Sequence, residues 1–283
     1  MKKFIVFVMA AVAVMNFSSC NNEMDMLDPI AKSKEVGYIN INTTTSVDNV
    51  ADTRSVNTDA NGVTTINGSD LNTWLARVYN GTTYKWGANG FTTIDNVALG
   101  AVGLDASKTW TVEVRNYADM ASANASNSPY GNAYYEGKND AVTVTAGSST
   151  DVTVDCGTPK NSLLNITKTG FTGSNLKVYI TSPRTVSFTA NPFENNGKAY
   201  FAPGTVKLYI TYDFGGATDR RWPTGEGTYD ISLSAGYQKT LNFTMNTNGT
   251  ITLKITTSDF EDGGSTAITF DAMTGDAPNP TNS

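Results

Sequence analysis

Short runs with apolar residues at every second position fill the chain from residue 36 onward, and no long helical pattern interrupts them. Trp110 to Arg115 (WTVEVR) and Val206 to Thr211 (VKLYIT) are two examples. Successive side chains of a strand point to opposite faces, so each run predicts a strand with one buried face. Many short strands with turn residues between them are typical of β-sandwiches. The pattern therefore predicts an all-β fold.

One segment occurs twice at an offset of 89 residues, as Ala141 to Val154 (AVTVTAGSSTDVTV) and as Asp230 to Phe243 (DISLSAGYQKTLNF). The copies share an Ala-Gly pair and in-phase apolar positions, and each predicts a hairpin with one apolar face. Any two hairpins resemble each other to a degree, but the shared Ala-Gly favours a duplication. We therefore predict two tandem β-sandwich domains, at residues 36–157 and 158–275, followed by a flexible tail at 276–283.

Local turn signals agree with an all-β chain. Asn80-Gly81 and Asn248-Gly249 each lie between two alternating runs, and Asn-Gly supplies the positive φ angles that tight hairpin turns require. Only one short helix is credible, from Ser69 to Ala76. A strand that runs through Leu75 and Val78 competes with that helix for the same residues.

The N-terminal residues have the pattern of a secretory leader. Two lysines precede the uncharged run from Phe4 to Met15, which is shorter than the roughly 20 apolar residues of a membrane-spanning helix. Ser18, Ser19 and Cys20 then follow the order of a bacterial lipobox. We predict a signal peptide at 1–19, a lipid on Cys20 that anchors the chain to the outer membrane, and a tether at 20–35. The alternative is an ordinary cleaved signal with Cys20 there by chance.

Composition excludes several classes of function. The chain has no histidine, which removes Ser-His-Asp and Cys-His catalysis and His-ligated zinc. A net charge of −6 disfavours nucleic acid as a partner, because phosphates demand basic patches. Carboxylate pairs remain, so the enzyme alternative is a glycosidase that uses two acids. We predict that the protein is not an enzyme and takes no cofactor, and that Cys156 is a buried, inert thiol.

Two segments carry oxygen-bearing side chains at a spacing that resembles metal-binding loops. Asn57 to Gly62 opens like a calcium loop, but Gly68 stands where the EF-hand pattern needs its Glu, so a polar loop is the default. Asp259 to Gly264 clusters three carboxylates, which a solvated turn explains equally well. We predict no metal site.

Aromatic side chains in loops are candidates for contact with a ligand or a partner. Tyr130, Tyr134 and Tyr135 lie in SPYGNAYYEG, and Trp222 lies in DRRWP. Exposed rings stack on sugars or anchor protein partners. The alternative is that Tyr134 or Tyr135 closes the edge of the first sandwich and that Trp222 packs in a core.

The leader, GYININ after it, and PYGNAYYEG followed by VTVTAG together resemble a family of Bacteroidales lipoproteins without an assigned function. The tandem layout resembles the fimbrillins, the pilin subunits of the same bacteria. That resemblance implies two transthyretin-like sandwiches and a function in structure or adhesion by strand exchange with other pilin-like subunits. The rival interpretation is a surface lipoprotein that binds glycans through loop aromatics. Either protein would lie at the outer membrane, on its periplasmic or its cell-surface face.

The fimbrillin resemblance also assigns roles to particular residues. It implies that a surface protease cuts after Arg54 and that Tyr38 to Ile41 belong to the strand removed by that cut. The donor strand would then be Ser265 to Met273, in which Ile268 and Phe270 alternate as groove-filling residues should.

Overall fold

The computed structural model describes residues 35–45, 57–58, 64–66, 71–88, 90–172, 175–258 and 265–271. The signal peptide, Cys20, Arg54, the Asp259 to Gly264 segment and the tail at 276–283 lie outside these residues. Within the described part, no helix has the length and apolarity needed to cross a membrane.

Nearly all regular structure is β-strand, as the alternation predicts. The strands of the first half are β1 (Val36–Thr45), β2 (Asn57–Thr58), β3 (Thr64–Ile66), β4 (Leu75–Asn80), β5 (Thr83–Trp86), β6 (Thr92–Thr93), β7 (Leu104–Asp105), β8 (Trp110–Arg115), β9 (Glu136–Val142) and β10 (Ser149–Gly157). Those of the second half are β11 (Ser162–Thr169), β12 (Leu176–Ser182), β13 (Val186–Phe188), β14 (Lys198–Phe201), β15 (Gly204–Phe214), β16 (Ala217–Trp222), β17 (Tyr229–Leu233), β18 (Gln238–Met245), β19 (Thr250–Ser258) and β20 (Ser265–Asp271).

The strands form four sheets, two from each half of the chain. Sheet I has the order β10-β1-β3-β2, with β7 also on β1, and sheet II has the order β5-β4-β8-β9, with β6 also on β4. Sheet III runs β14-β11-β18-β19-β20, and sheet IV runs β13-β12-β15-β16, with β17 also on β15. Both members of each pair contribute buried side chains to one core: Ile41 and Val78 share the first, and Phe243 and Val178 share the second. The fold is therefore two tandem β-sandwiches.

The repeated segment is not a pair of hairpins, and that prediction was wrong. β9 and β10 lie in different sheets, and so do β17 and β18, so each repeat is an arch that crosses from one layer to the other. In an arch both apolar faces point into the space between the layers, which produces the same alternation as a hairpin. The second strand of each arch pairs in parallel with the first strand of its sandwich, β10 with β1 and β18 with β11. The two copies thus occupy equivalent positions.

The Asn-Gly turns are confirmed, since β4 pairs antiparallel with β5 and β18 with β19. The strand through Leu75 and Val78 forms as β4, so the helix predicted for Ser69 to Ala76 does not extend through Leu75; residues 69 and 70 lie outside the described part of the chain.

Among the described residues, two short α-helices were missed, α1 (Asn96–Leu99) and α2 (Met120–Ala125), as was a 3-10 turn at Glu194–Gly197. Asp95 and Asp119 cap α1 and α2 by accepting hydrogen bonds from backbone N–H groups. An Asp at an N-cap is a signal that the sequence contains, but helices this short have too few residues to show a helical pattern.

Candidate functional site

The first strand, β1, lies inside sheet I. It pairs in parallel with β10 from Tyr38 to Thr45, and antiparallel with β7 at one end and β3 at the other. Its inward side chains are Ile39 at 1% exposure and Ile41, Thr43 and Thr45 at 0%. The described strands that pair with β1 all follow it in the chain, and together they form a groove that β1 fills.

Between β7 and β3 the edge of β1 is held by a side chain instead of a strand. Asp95 accepts bonds from the N–H groups of Val97 and Ala98 at 3.0 and 3.1 Å, which fixes the first turn of α1. That turn directs Asn96 at β1: its Nδ2 donates to the Ile41 carbonyl at 3.0 Å, and its Oδ1 accepts from the Ile41 N–H at 2.9 Å. The amide of Asn96 thus satisfies both backbone groups of Ile41 as a neighbouring strand would.

The candidate donor strand, β20, is the last described strand in chain order, whereas β1 is the first. It pairs antiparallel with β19, from Ser265 opposite Thr256 to Asp271 opposite Thr250. It ends the order of sheet III, so its other edge pairs with no strand in the described part of the chain. Ile268 lies opposite Leu253, and the donor assignment of Ile268 and Phe270 stays a prediction.

The aromatic candidates lie against protein cores. Tyr134, Tyr135 and Trp222 are 4%, 2% and 3% exposed, and Tyr130 packs on the second core with its ring centroid 5.6 Å from that of Phe188. Burial, together with the hydrogen bond that the Tyr134 hydroxyl donates to Glu136, raises the pKa of Tyr134 to about 12. Burial likewise raises the pKa of Tyr135. In this arrangement the rings of the three buried residues offer no face for a sugar to stack on.

The segment that holds these tyrosines joins the two halves of the chain. The guanidinium of Arg184 donates to the carbonyls of Pro129 at 2.9 Å, Tyr130 at 3.0 Å and Tyr200. Asn161 accepts from the Tyr134 N–H at 3.0 Å and donates to the Asn132 carbonyl at 2.8 Å. Sequence reasoning missed Arg184 and Asn161, because neither stands in a motif that signals such a contact.

The described residues contain no group of three His, Cys, Asp or Glu side chains arranged to hold a metal ion. Cys156 is 1% exposed, and burial raises the pKa of its thiol to about 12. A thiol with that pKa is protonated near neutral pH and is therefore a poor nucleophile and a poor metal ligand.

Comparison with known proteins gives a family and several structural relatives. A family described as "Domain of unknown function (DUF4493)" matches residues 35–280. No curated protein matches the sequence. A proposed cell adhesion protein of Bacteroides ovatus is 14% identical with a TM-score of 0.40, over 80% of this chain and 96% of that one.

Two further solved structures show the same level of similarity. A proposed cell adhesion protein of Bacteroides uniformis is 12% identical with a TM-score of 0.44, over 67% of this chain and 91% of that one. A fimbrial assembly protein of Parabacteroides distasonis is 12% identical with a TM-score of 0.41, over 82% and 98% of the two chains.

Proposed function

We propose that this chain, which belongs to the DUF4493 family of unknown function, is a cell-surface structural or adhesive protein. In this proposal it assembles by β-strand exchange. One observation carries the proposal. β1 ends at Thr45, ahead of Arg54, and every strand that pairs with it begins after Arg54. A single cut after Arg54 would therefore separate a buried strand from the rest of its sandwich.

Loss of β1 leaves a groove that must be filled. β10 would lose the one ladder partner that it has among the described residues, and the inward side chains Val152 and Val154, at 4% and 0% exposure, would face solvent. An unpaired edge with an apolar floor captures an extended segment by backbone hydrogen bonds and alternate side chains. A strand from a second copy of the chain meets that need.

β20 is the candidate for that strand. It lies at the edge of sheet III and is held by one neighbour, β19. A strand with one partner leaves its sheet at a lower cost than a strand with two, because fewer ladder bonds break. Ile268 and Phe270 would alternate into the groove of the next copy.

A lipid on Cys20 would hold the precursor at the outer membrane until the cut. Cleavage after Arg54 would release the folded part from this anchor, whereas an uncut copy would stay at the base of an assembly. Labelling with a clickable fatty acid tests the anchor. We expect label in the wild type and none in Cys20→Ser, and equal labelling of both would refute it.

An arginine-specific protease tests the exchange. The remaining arginines, which are Arg77, Arg115, Arg184, Arg220 and Arg221, lie in strands or, for Arg184, donate to three backbone carbonyls. Sites held in this way resist proteolysis relative to exposed connections. We expect limited digestion to give one early cut and then a ladder of oligomers on size-exclusion chromatography.

Arg54→Lys is the matched control, since it keeps the charge and removes the cleavage site. We expect it to remain monomeric under the same digestion. Oligomers that form equally from Arg54→Lys, or a cut wild type that stays monomeric with β1 in place, would contradict the proposal. Burial argues against the glycan-binding alternative, because Tyr134, Tyr135 and Trp222 are at most 4% exposed.

A further inference from the structure

The connection between the two sandwiches, residues 158–161, is bonded on both sides. The Lys160 N–H donates to the Tyr134 carbonyl at 2.7 Å, and the side chain of Asn161 accepts from the Tyr134 N–H at 3.0 Å. The Asn161 carbonyl in turn accepts from the N–H of Gly236, in the turn between β17 and β18, at 3.2 Å. Tandem domains ordinarily move relative to each other unless a substantial contact joins them. Here each half of the chain supplies bonds that hold the connection in place.

Sheet III is buried on both faces at the end that lies next to this connection. Leu163 of β11 lies opposite Tyr200 of β14, and both are buried in the core of the first sandwich. The following residue of each strand, Leu164 and Phe201, is buried in the core of the second sandwich. Successive side chains of a strand point to opposite faces. This end of sheet III therefore packs against both cores.

The first half of the chain makes the reverse contact through residues 128–135, which we call the bridging segment. The ring of Tyr130 packs against the core of the second sandwich, beside Phe188. Farther along the segment, Tyr135 is buried in the core of the first sandwich, where its ring stacks on that of Trp74 at a centroid distance of 6.3 Å. One short segment therefore places side chains in both cores.

We propose that the bridging segment holds the two sandwiches together as one rigid, cooperative unit, so that residues 158–161 form a fixed joint and not a hinge. Each half contributes side chains to the core of the other. Separation of the halves would expose Tyr130 on one side and Leu163 and Tyr200 on the other, which opposes opening. The chain thus presents its second sandwich in one orientation relative to the first. This inference goes beyond the proposed function, because it applies to a monomer as well as to an assembly.

Cleavage by a lysine-specific protease tests the joint, because Lys160 lies within it. A protease cuts an extended stretch of chain whose backbone bonds have opened, so a closed joint resists cleavage. We expect no early fragment that begins at Asn161 from the intact wild type. Asn161→Ala removes the side-chain bonds to Tyr134 and Asn132 and should speed this cut by about tenfold. An early cut after Lys160 in the wild type, or equal rates in the two proteins, overturns the inference.

Tyr130→Ala is a second variant, which decides the question if Asn161→Ala does not fold. The ring of Tyr130 is only partly buried, and its removal leaves the bonds of Asn161 in place. We expect Tyr130→Ala also to speed the cut after Lys160, because the bridging segment loses its contact with the second core. An unchanged rate in this variant overturns the inference.

Asn246→Ala is the matched control. The side chain of Asn246 donates to the hydroxyls of Thr250 and Thr252 at 2.8 and 2.9 Å, beyond the end of β18 that is remote from the joint. The control therefore also removes side-chain bonds of an asparagine from the second sandwich. We expect it to leave the rate of the cut after Lys160 unchanged. If it speeds this cut as much as Asn161→Ala does, the effect is global and the inference is overturned.

Hydrogen exchange of the intact chain over a series of urea concentrations tests whether the halves unfold together. We expect the amides of β8, in the first sandwich, and of β12, in the second, to lose protection over the same range of urea. Loss of protection at clearly different urea concentrations overturns the single unit. Neither measurement needs oligomers, so a failure of strand exchange and a failure of the fixed joint are told apart.

Discussion

Replacing Arg184 by methionine should weaken the connection between the two halves of the chain. The side chain is half-buried, and its guanidinium donates to the carbonyls of Pro129, Tyr130 and Tyr200. The guanidinium carbon also lies over the ring of Phe201, 4.5 Å from the ring centroid. Methionine keeps the apolar stem and removes all three bonds, so the variant isolates the contribution of the guanidinium.

The expected loss is about 3 kcal/mol of unfolding free energy. Hydrogen bonds from a charged group contribute about 1.5–3 kcal/mol each. The Tyr130 carbonyl keeps its bond from the Tyr200 N–H at 2.8 Å, so two carbonyls rather than three lose their partner. Burial of the guanidinium, which lowers the pKa of Arg184, offsets part of the gain in the wild type.

Urea denaturation followed by tryptophan fluorescence measures this loss. Lys207→Met is the control, because Lys207 pairs with Asp230 at 2.9 Å in an exposed ion pair that should contribute less than about 1 kcal/mol. A loss below about 1 kcal/mol for Arg184→Met, or an equal loss for both variants, would refute the view that Arg184 joins the halves.

Three further predictions follow from burial and charge. The Cys156 thiol should resist a thiol reagent at pH 8 in the folded chain and react on unfolding, because burial raises its pKa to about 12; rapid reaction of the native protein would contradict its burial. Burial alone would raise the pKa of Glu113, but hydrogen bonds from Arg77 and Tyr79 outweigh it and lower that pKa. Glu113 therefore stabilises the fold above its unfolded pKa and loses this contribution as the pH falls through its folded pKa. We expect Glu113→Gln to be less stable than wild type at pH 7 and equally stable in acid. A difference in thermal stability that does not change with pH would contradict this prediction. Ile41→Ala should lower the unfolding free energy by about 3 kcal/mol in urea, because the side chain is 0% exposed; a loss under about 1 kcal/mol would exclude β1 from the core.

The strands could be predicted from sequence, but their partners could not. Alternation in Val142 and Val144 and in Val152 and Val154 identifies the buried face of each run. It does not say whether the two runs share a sheet or face each other across the core, so the same alternation predicts a hairpin where the structure has an arch. Asn80-Gly81 was predicted correctly, because there the turn chemistry itself selects the pairing.

The candidate site was only partly visible in the sequence. The resemblance to the fimbrillins predicts that Tyr38 to Ile41 belong to a strand removed by a cut after Arg54, and in the structure these residues lie in β1. The contact between Asn96 and Ile41 spans 55 residues, and no local pattern signals it. The burial of Thr43 and Thr45 could also be seen only in the packed core, since an exposed threonine and a buried one look alike in the sequence of a strand.

Native mass spectrometry of the chain after arginine-specific cleavage tests the central claim most directly, because it reports which pieces stay together. We expect assemblies built from copies of residues 55–283, with the β1 segment absent from every junction between two copies. A single nicked chain that still holds its own β1, with no larger species as protein concentration rises, would contradict strand exchange.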